Sequence, residues 1–573
     1  MFCAVCSYFY VSPCRFSGKF GKTILIIPRI PKRKKKSQMN ANKYQFTKQF
    51  VGLFLVVFLL STAVSAQAQP KYGARILLVP LDDRPPCLQF PVRLGPVGDI
   101  EVVAPPREML GKFTMPGEPE KIMAWLGQQD LKQFDALVVS LDMLAYGGLV
   151  AMREYGNVTR EIAQKRIDFI RKLKKKAPRL PIYGSSVIMR LAPTGNVINE
   201  SYRAKLARWA EISPVKDEKL QAEARNLEKE IPAEALANYK LARERDLAGN
   251  FQAIELAKNG VFDYLIVSQD DAHPTGVHVA ERERLLAEIN RLGIGEKVPV
   301  QPGADEVSML LMARFVSSKD KYAPRVKAVY SSEATRTAVM PFEDRKLFET
   351  VSYHIRAVGG REIADEKQAD LLFYVFASRF EPGRAETFAA EIEEKIKQGK
   401  RIILVDVDPS AKTEGAEPKF MDEIKRRGLI LKFSGFATWN TAGNMIGTAL
   451  PQAVLYESTR RRSNLNSKVK SRISEEQNWF LFHRWLDDYI YNAVVRPEIR
   501  KFAAERKWNQ LRFTEAQTAE VEKFGFAEMR KHYVADKAVI FADSNCRPSD
   551  DFGFYLPWNR AFEADIDFKL NCK

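Results

Sequence analysis

The chain has 573 residues, 46% of them hydrophobic and 28% charged, and a formal net charge of +18. The excess of cations is uneven, because the first 69 residues hold 11 Lys or Arg and no Asp or Glu, so that +18 less 11 leaves +7 on the remaining chain of about 500 residues. That balance excludes a nucleic-acid binder built on a basic patch interleaved with aromatics; the strongest remaining basic run, Arg460-Arg461-Arg462, reads as a solvated helix end.

Residues 1–68 read as a leader. Lys43 and Lys48 precede an apolar run at 50–60, and Ser65-Ala66-Gln67-Ala68 follows, the order of a secretory signal cleaved after Ala68. The run is shorter than the roughly 20 residues that span a bilayer, so no membrane span is expected after cleavage. The stretch before Met39, with its run Lys32-Arg33-Lys34-Lys35-Lys36, suggests that translation starts at Met39. Export to the periplasm or the cell exterior is the expectation. Cys3, Cys6 and Cys14 leave with the leader; Cys87, Cys546 and Cys572 form neither a disulfide framework nor a metal-binding spacing, and a bridge from Cys546 to Cys572 stays open.

Short apolar runs then alternate with amphipathic helices. Strands are expected at 76–80, 100–104, 136–140, 182–187, 264–267, 298–301, 326–330, 371–376, 401–405 and 429–433, with helices such as 161–175, 385–397 and 444–456. Continuous apolar strands covered on both faces define an α/β class with mostly parallel sheets. The expected arrangement is two Rossmann-like lobes, 69–325 with a charged helical insertion at 199–258, and 326–460; a (β/α)8 barrel plus a small α/β lobe is the alternative. Residues 461–573 read as a helical and β-hairpin extension, since 552–570 alternates with period two around Asn559-Arg560.

Carboxylates follow almost every strand: Asp82 and Asp83, Asp142, Asp270 and Asp271, Asp305 and Glu306, Glu333. In a parallel sheet the ligand crevice lies beyond the carboxyl ends of the strands, so this pattern points to one acidic cleft. Asp270 and Asp271 are the candidate catalytic pair, because adjacent carboxylates divide into donor and acceptor when their surroundings differ. An N-cap role for Asp271 competes with that reading. Asp82, Asp83 and Arg84, stiffened by Pro85 and Pro86, are candidate binding groups, as are Asp142 beside Gly147-Gly148, Arg190, and the Trp439-Asn440-Thr441-Ala442-Gly443-Asn444 segment, in which Trp439, Asn440 and Asn444 suit a sugar's apolar face and hydroxyls. No cofactor is expected; a divalent metal on Asp82, Asp270 and His273 is the alternative, and His278 lies close by in sequence. Neither a dinucleotide loop nor a Gly-x-Ser-x-Gly elbow is present.

Five segments together resemble a bacterial family known as domain of unknown function 4127: LVPLDDRPP at 78–86, SLDMLAYGG at 140–148, SQDDA at 268–272, WNTAGN at 439–444 and PWNRAFE at 557–563. The resemblance covers 75–568 and brings no activity that could be carried over. From the residues, three functions are expected in turn: an exported carbohydrate-active hydrolase working on a glycan by acid and base chemistry, an exported two-lobed solute-binding protein, and a divalent-metal hydrolase. The helical and hairpin C-terminus, superfluous in a binder, favours the enzyme.

Overall fold

The computed structural model describes residues 72–573 except 197, 382, 408–414 and 511. The leader expected at 1–68, with its start at Met39, lies outside the described residues. Six strands form the first sheet: β1 (Ala74–Val79), β2 (Ile100–Val103), β3 (Ala136–Ser140), β4 (Ile182–Ile188), β5 (Tyr264–Gln269) and β6 (Val300–Pro302), all parallel, in the order β2-β1-β3-β4-β5-β6. Five form the second: β7 (Arg325–Tyr330), β8 (Arg361–Glu362), β9 (Leu371–Phe376), β10 (Ile402–Asp406) and β11 (Gly435–Ala437), also parallel, in the order β11-β10-β9-β7-β8. Both sheets are open, so the strands divide into two α/β lobes and do not close into a barrel.

The two sheets share one winding rule. Each starts with a strand that takes its second strand on one side and its third on the other, which puts a switch in direction between β1 and β3 and between β7 and β9. The strands read as unbroken apolar runs because helices cover both faces; every residue of Leu371–Phe376 is buried, as is every residue of Ala136–Ser140. Two helices between the sheets, Val307–Lys319 and Ala442–Arg460, are apolar almost all round and bury nearly every side chain, as helices sandwiched on all sides must. One apolar cluster consequently runs from Ile76 of the first sheet through Leu310 and Phe373 to Phe568 near the C-terminus.

The expected strand at 429–433 is a correction. Ile430–Lys432 is a short 3-10 turn, and the strand forms one step later at Gly435–Ala437. A Cβ on Gly435 would lie 2.0 Å from the carbonyl oxygen of Ala449, so the close approach of helix to strand demands the residue that weakens the strand signal.

The C-terminal region packs helices Ser467–Arg484 and Glu515–Ile540 against an antiparallel hairpin, β12 (Cys546–Tyr555) and β13 (Asp565–Cys572). Trp479 and Phe568 stack at 5.1 Å, and Tyr533 and Phe552 at 4.6 Å. Cys546 and Cys572 face each other at the open end of the hairpin and form a disulfide. The basic run is not a free helix end: Arg460 pairs with Glu457, Arg461 with Asp370, and Arg462 with Asp99 and Asp320. Among the described residues, no helix is long and apolar enough to cross a membrane.

Candidate functional site

A cavity of about 630 Å³ opens at the carboxyl ends of the first sheet. The loops after β1, β3, β4, β5 and β6 line it, through Arg84, Arg153, Arg190, Asp270 and Asp305 among others. The switch between β1 and β3 therefore does what it does in open parallel sheets generally, parting the loops to leave room for a ligand. The second lobe contributes the segment after β11, with Trp439, Asn440 and Asn444, and the connection that carries Phe342 and Glu343. The C-terminal region closes the remaining side with Asp487 and Asn492, Arg496 and Arg500, and the hairpin connection from Trp558 to Ala564. Asp487 and Asn492 lie in Trp485–Val495, a π-helical stretch, a geometry that recurs at functional sites.

The first loop is held by one guanidinium. Arg84 donates to Asp82 at 2.7 Å, to Asp305 at 2.7 Å and to Glu563 of the hairpin connection at 3.0 Å, all of them nearly inaccessible to water. Burial pushes the Asp305 carboxyl above its ordinary range while Arg84 pulls it back. Such a hub is a strong constraint, since a buried charge stripped of one partner typically costs about 3–5 kcal/mol. Beside it, Trp558 donates its indole N–H to Asp83 at 2.6 Å, with the Arg84 guanidinium 4.9 Å from its ring centre. Among the described residues, Asp82, Cys87 and Asp305 bring possible metal-ligand atoms within 4.8 Å of one another. The Arg84 guanidinium already bridges the two carboxylates, and burial holds the Cys87 thiol up, so it stays protonated. The group is chemically a carboxylate cage around a cation that the chain itself supplies.

Asp270 and Asp271 end β5 in two further ion pairs. Arg153 reaches Asp270 at 2.6 Å and Thr194 at 2.8 Å, and Arg190 reaches Asp271 at 2.6 Å. The helical insertion braces these arginines: from helix Ala233–Lys258, Tyr239 donates to the Leu191 carbonyl and Arg243 to those of Met189 and Arg190, each at 2.9 Å, while Arg245 donates to that of Met152 at 2.5 Å. Asp271 has φ 38°, so its backbone is not that of an ordinary helix cap.

The opposite wall carries a carboxyl group without an arginine. Glu343 is 3% exposed; one oxygen accepts from the Gly443 amide at 2.9 Å and the other has no hydrogen-bond partner among the described residues. Burial pushes this carboxyl up to about 8, only partly offset by the Gly443 amide. It therefore holds a proton at neutral pH. The floor between the walls is tight: Gly303 has φ 106°, and a Cβ there would stand 1.7 Å from an oxygen of the buried Glu306. Of the nine non-glycine residues with positive φ among the described residues, Asp271, Phe342, Asn440 and Trp558 line this one cavity. Bulky residues adopt that backbone only where the surroundings impose it, which is characteristic of functional sites.

The structure brings Arg84, Arg190, Asp270, Asp271, Trp439, Asn440 and Asn444 to the cavity wall. Four expectations need correction. Asp142 faces away, both its oxygens accepting from the Val187 amide at 3.1 and 3.3 Å in a site so buried that its carboxyl is pushed up to about 8. Asp82 and Asp83 sit behind the wall as partners of Arg84 and Trp558. Trp439 is 4% exposed, edge-on to Phe90 and bonded to Thr448, so it has little ring face to offer a ligand. His273 turns its ring edge to Phe342, and the buried His278 contacts the His273 backbone with its pKa lowered to about 4, so the set Asp82, Asp270 and His273 does not assemble as a metal site.

The cleft is also not acidic in the way the strand-end pattern implied. Seven arginines and six carboxylic residues line it, and four of those arginines, Arg153, Arg203, Arg496 and Arg500, carry no signal in the local sequence, while Arg560 lies in the segment PWNRAFE. Glu343 was likewise invisible, because no strand precedes it and only burial distinguishes it. Glu333, by contrast, pairs with Arg336 on the surface.

The fold and site define a two-sheet α/β protein with a charged cavity at a strand switch. The family model described as protein of unknown function (DUF4127) matches residues 76–567, and the chain belongs to that family. No curated protein matches the chain.

Proposed function

We propose that the protein is an exported carbohydrate-active hydrolase that cleaves a glycan by general acid and base chemistry in this cavity. The observation that carries the reading is the difference in surroundings among its carboxyl groups: Glu343 is a buried acid raised to about 8 with no arginine partner, whereas Asp270 and Asp271 are ion-paired with Arg153 and Arg190. Carboxyl groups in such different surroundings divide the labour of proton transfer. Glu343 gives its proton to the glycosidic oxygen as the C–O bond breaks, and Asp271, the more accessible of the pair, takes a proton from the attacking water.

Other features fit a sugar. The volume lies within the range of about 300–1,000 Å³ typical of small-ligand sites. Phe342 and Phe562, 42% and 38% exposed on the cavity wall, offer the apolar faces that Trp439 does not, and Asn440, Asn444 and Thr194 offer partners for hydroxyls. The Cys546–Cys572 disulfide supports an oxidising compartment. A two-lobed binder that closes like a hinge fits less well, because the apolar cluster runs unbroken through both lobes. The metal-hydrolase reading is weakened by the Arg84 cation inside the Asp82–Asp305 pair.

A panel of aryl glycosides and cell-wall fragments, assayed with and without a chelator, tests the proposal. Turnover that survives the chelator and falls at least about 100-fold in Glu343→Gln supports it. Absence of any turnover, or loss of all turnover to the chelator, sinks it.

A further inference from the structure

We infer that the sugar taken by this cavity carries an anionic group, a carboxylate or a phosphate, received at the corner formed by Arg203, Arg190 and Arg153. The inference rests on the carbohydrate reading above and names the class of sugar.

Charge is distributed unequally around the cavity. On the Arg84 side, the Arg84 guanidinium has three carboxylates, Asp82, Asp305 and Glu563, the last shared with Arg560, so carboxylates outnumber guanidinium groups there. On the Arg190 side, three guanidinium groups face two carboxylates. Asp270 is taken by Arg153 and Asp271 by Arg190. Arg203 lines the cavity and gives its Nε to the Pro193 carbonyl at 2.8 Å; the one carboxylate that acts on it, Asp271, already belongs to Arg190. Arg153 is 6% exposed, and its Nε has no hydrogen-bond partner among the described residues.

The strain of this crowding is visible in the groups themselves. Burial and the charge of Arg190 lower Arg153 to about 10 and lower Arg203 from its ordinary value. A ligand anion is the missing countercharge. Planar guanidinium forks match carboxylate and phosphate oxygens with paired, charge-assisted hydrogen bonds, whereas a neutral sugar would leave the excess charge in place. The loop that carries Arg190 and Thr194 is braced from behind by Tyr239 and Arg243, so the corner is built in advance of the ligand.

Calorimetric titration of the full protein with glucuronate, with inorganic phosphate and with glucose tests the inference and separates the two anion sources. At least one of the anions is expected to bind ten-fold or more tightly than glucose, more weakly as salt rises. Arg203→Ala and Arg203→Gln are expected to weaken that anion at least ten-fold while melting as the parent does. Glucose binding as tightly as both anions, or both Arg203 variants binding the anion normally, overturns the inference. Glu343→Gln keeps anion binding on this account. Anion binding that depends on Arg203, in a protein with no glycosidase turnover, would leave this inference standing and remove the hydrolase reading.

Discussion

The two walls of the cavity treat the same functional group in opposite ways. On the first-sheet wall, each carboxylate that points inward is met by an arginine: Asp270 by Arg153, Asp271 by Arg190, Asp305 by Arg84. On the second-lobe wall, Glu343 is met only by the backbone amide of Gly443. The sheets behind the walls wind alike, so the difference does not come from topology. It comes from what the connections deliver: helix Ala233–Lys258 braces the loops of Arg153 and Arg190, whereas no described arginine forms an ion pair with Glu343. A buried carboxyl group without a guanidinium partner is available as an acid, whereas one bridged by a guanidinium is tied into the wall.

The largest effect is expected from breaking the paired wall. Asp270→Ala strands the buried Arg153 and should cost about 3–5 kcal/mol in denaturant unfolding, whereas Asp270→Asn, which keeps a partner oxygen, should cost less. Equal losses in the two variants would mean that the pair does not anchor the wall. Next comes the unpaired wall, where Glu343→Gln should lower kcat at least about 100-fold, equivalent to about 2.7 kcal/mol, with no loss of melting temperature.

Away from both walls, reducing the Cys546–Cys572 bridge should lower stability by about 2–4 kcal/mol, seen as a lower melting temperature in reductant, by freeing the open end of the hairpin. An unchanged melting curve would show that the Arg84–Glu563 and Trp558–Asp83 contacts hold the hairpin unaided. The smallest effect sharpens the comparison. Asp142→Asn lies outside the cavity and keeps an acceptor for the Val187 amide, so turnover should remain within about two-fold of the parent, in line with its structural placement. A large loss of turnover would return Asp142 to the site.

Much of the fold was legible because continuous apolar runs such as Leu371–Phe376 are what parallel strands need when both faces are covered. Two strands were not. Arg361–Glu362 is two exposed residues long, and Gly435–Ala437 carries the glycine that lets a helix approach. For the site, a carboxylate after a strand marks a position at the right end of the sheet but not the direction of the side chain. Asp271 and Asp142 share that position, and only the first lines the cavity, because the Val187 amide holds the other. The arginines from the insertion and the C-terminal helices, and Glu343, acquire their roles through tertiary contact alone. No local pattern of residues could have announced them.

The central claim is that Glu343 is protonated in the folded protein at neutral pH, and linkage tests it without any substrate. Its carboxyl is raised from 4.5 to about 8, so the stability it contributes is fully present below the unfolded value and is lost as pH rises toward and through about 8. Unfolding free energies of the parent and of Glu343→Gln should be compared between pH 5 and pH 8. The account predicts that the parent loses stability relative to the variant by about 1.4 kcal/mol per pH unit across that window. Parallel curves for the two proteins would contradict it, since they would mean that Glu343 is already ionised at pH 5.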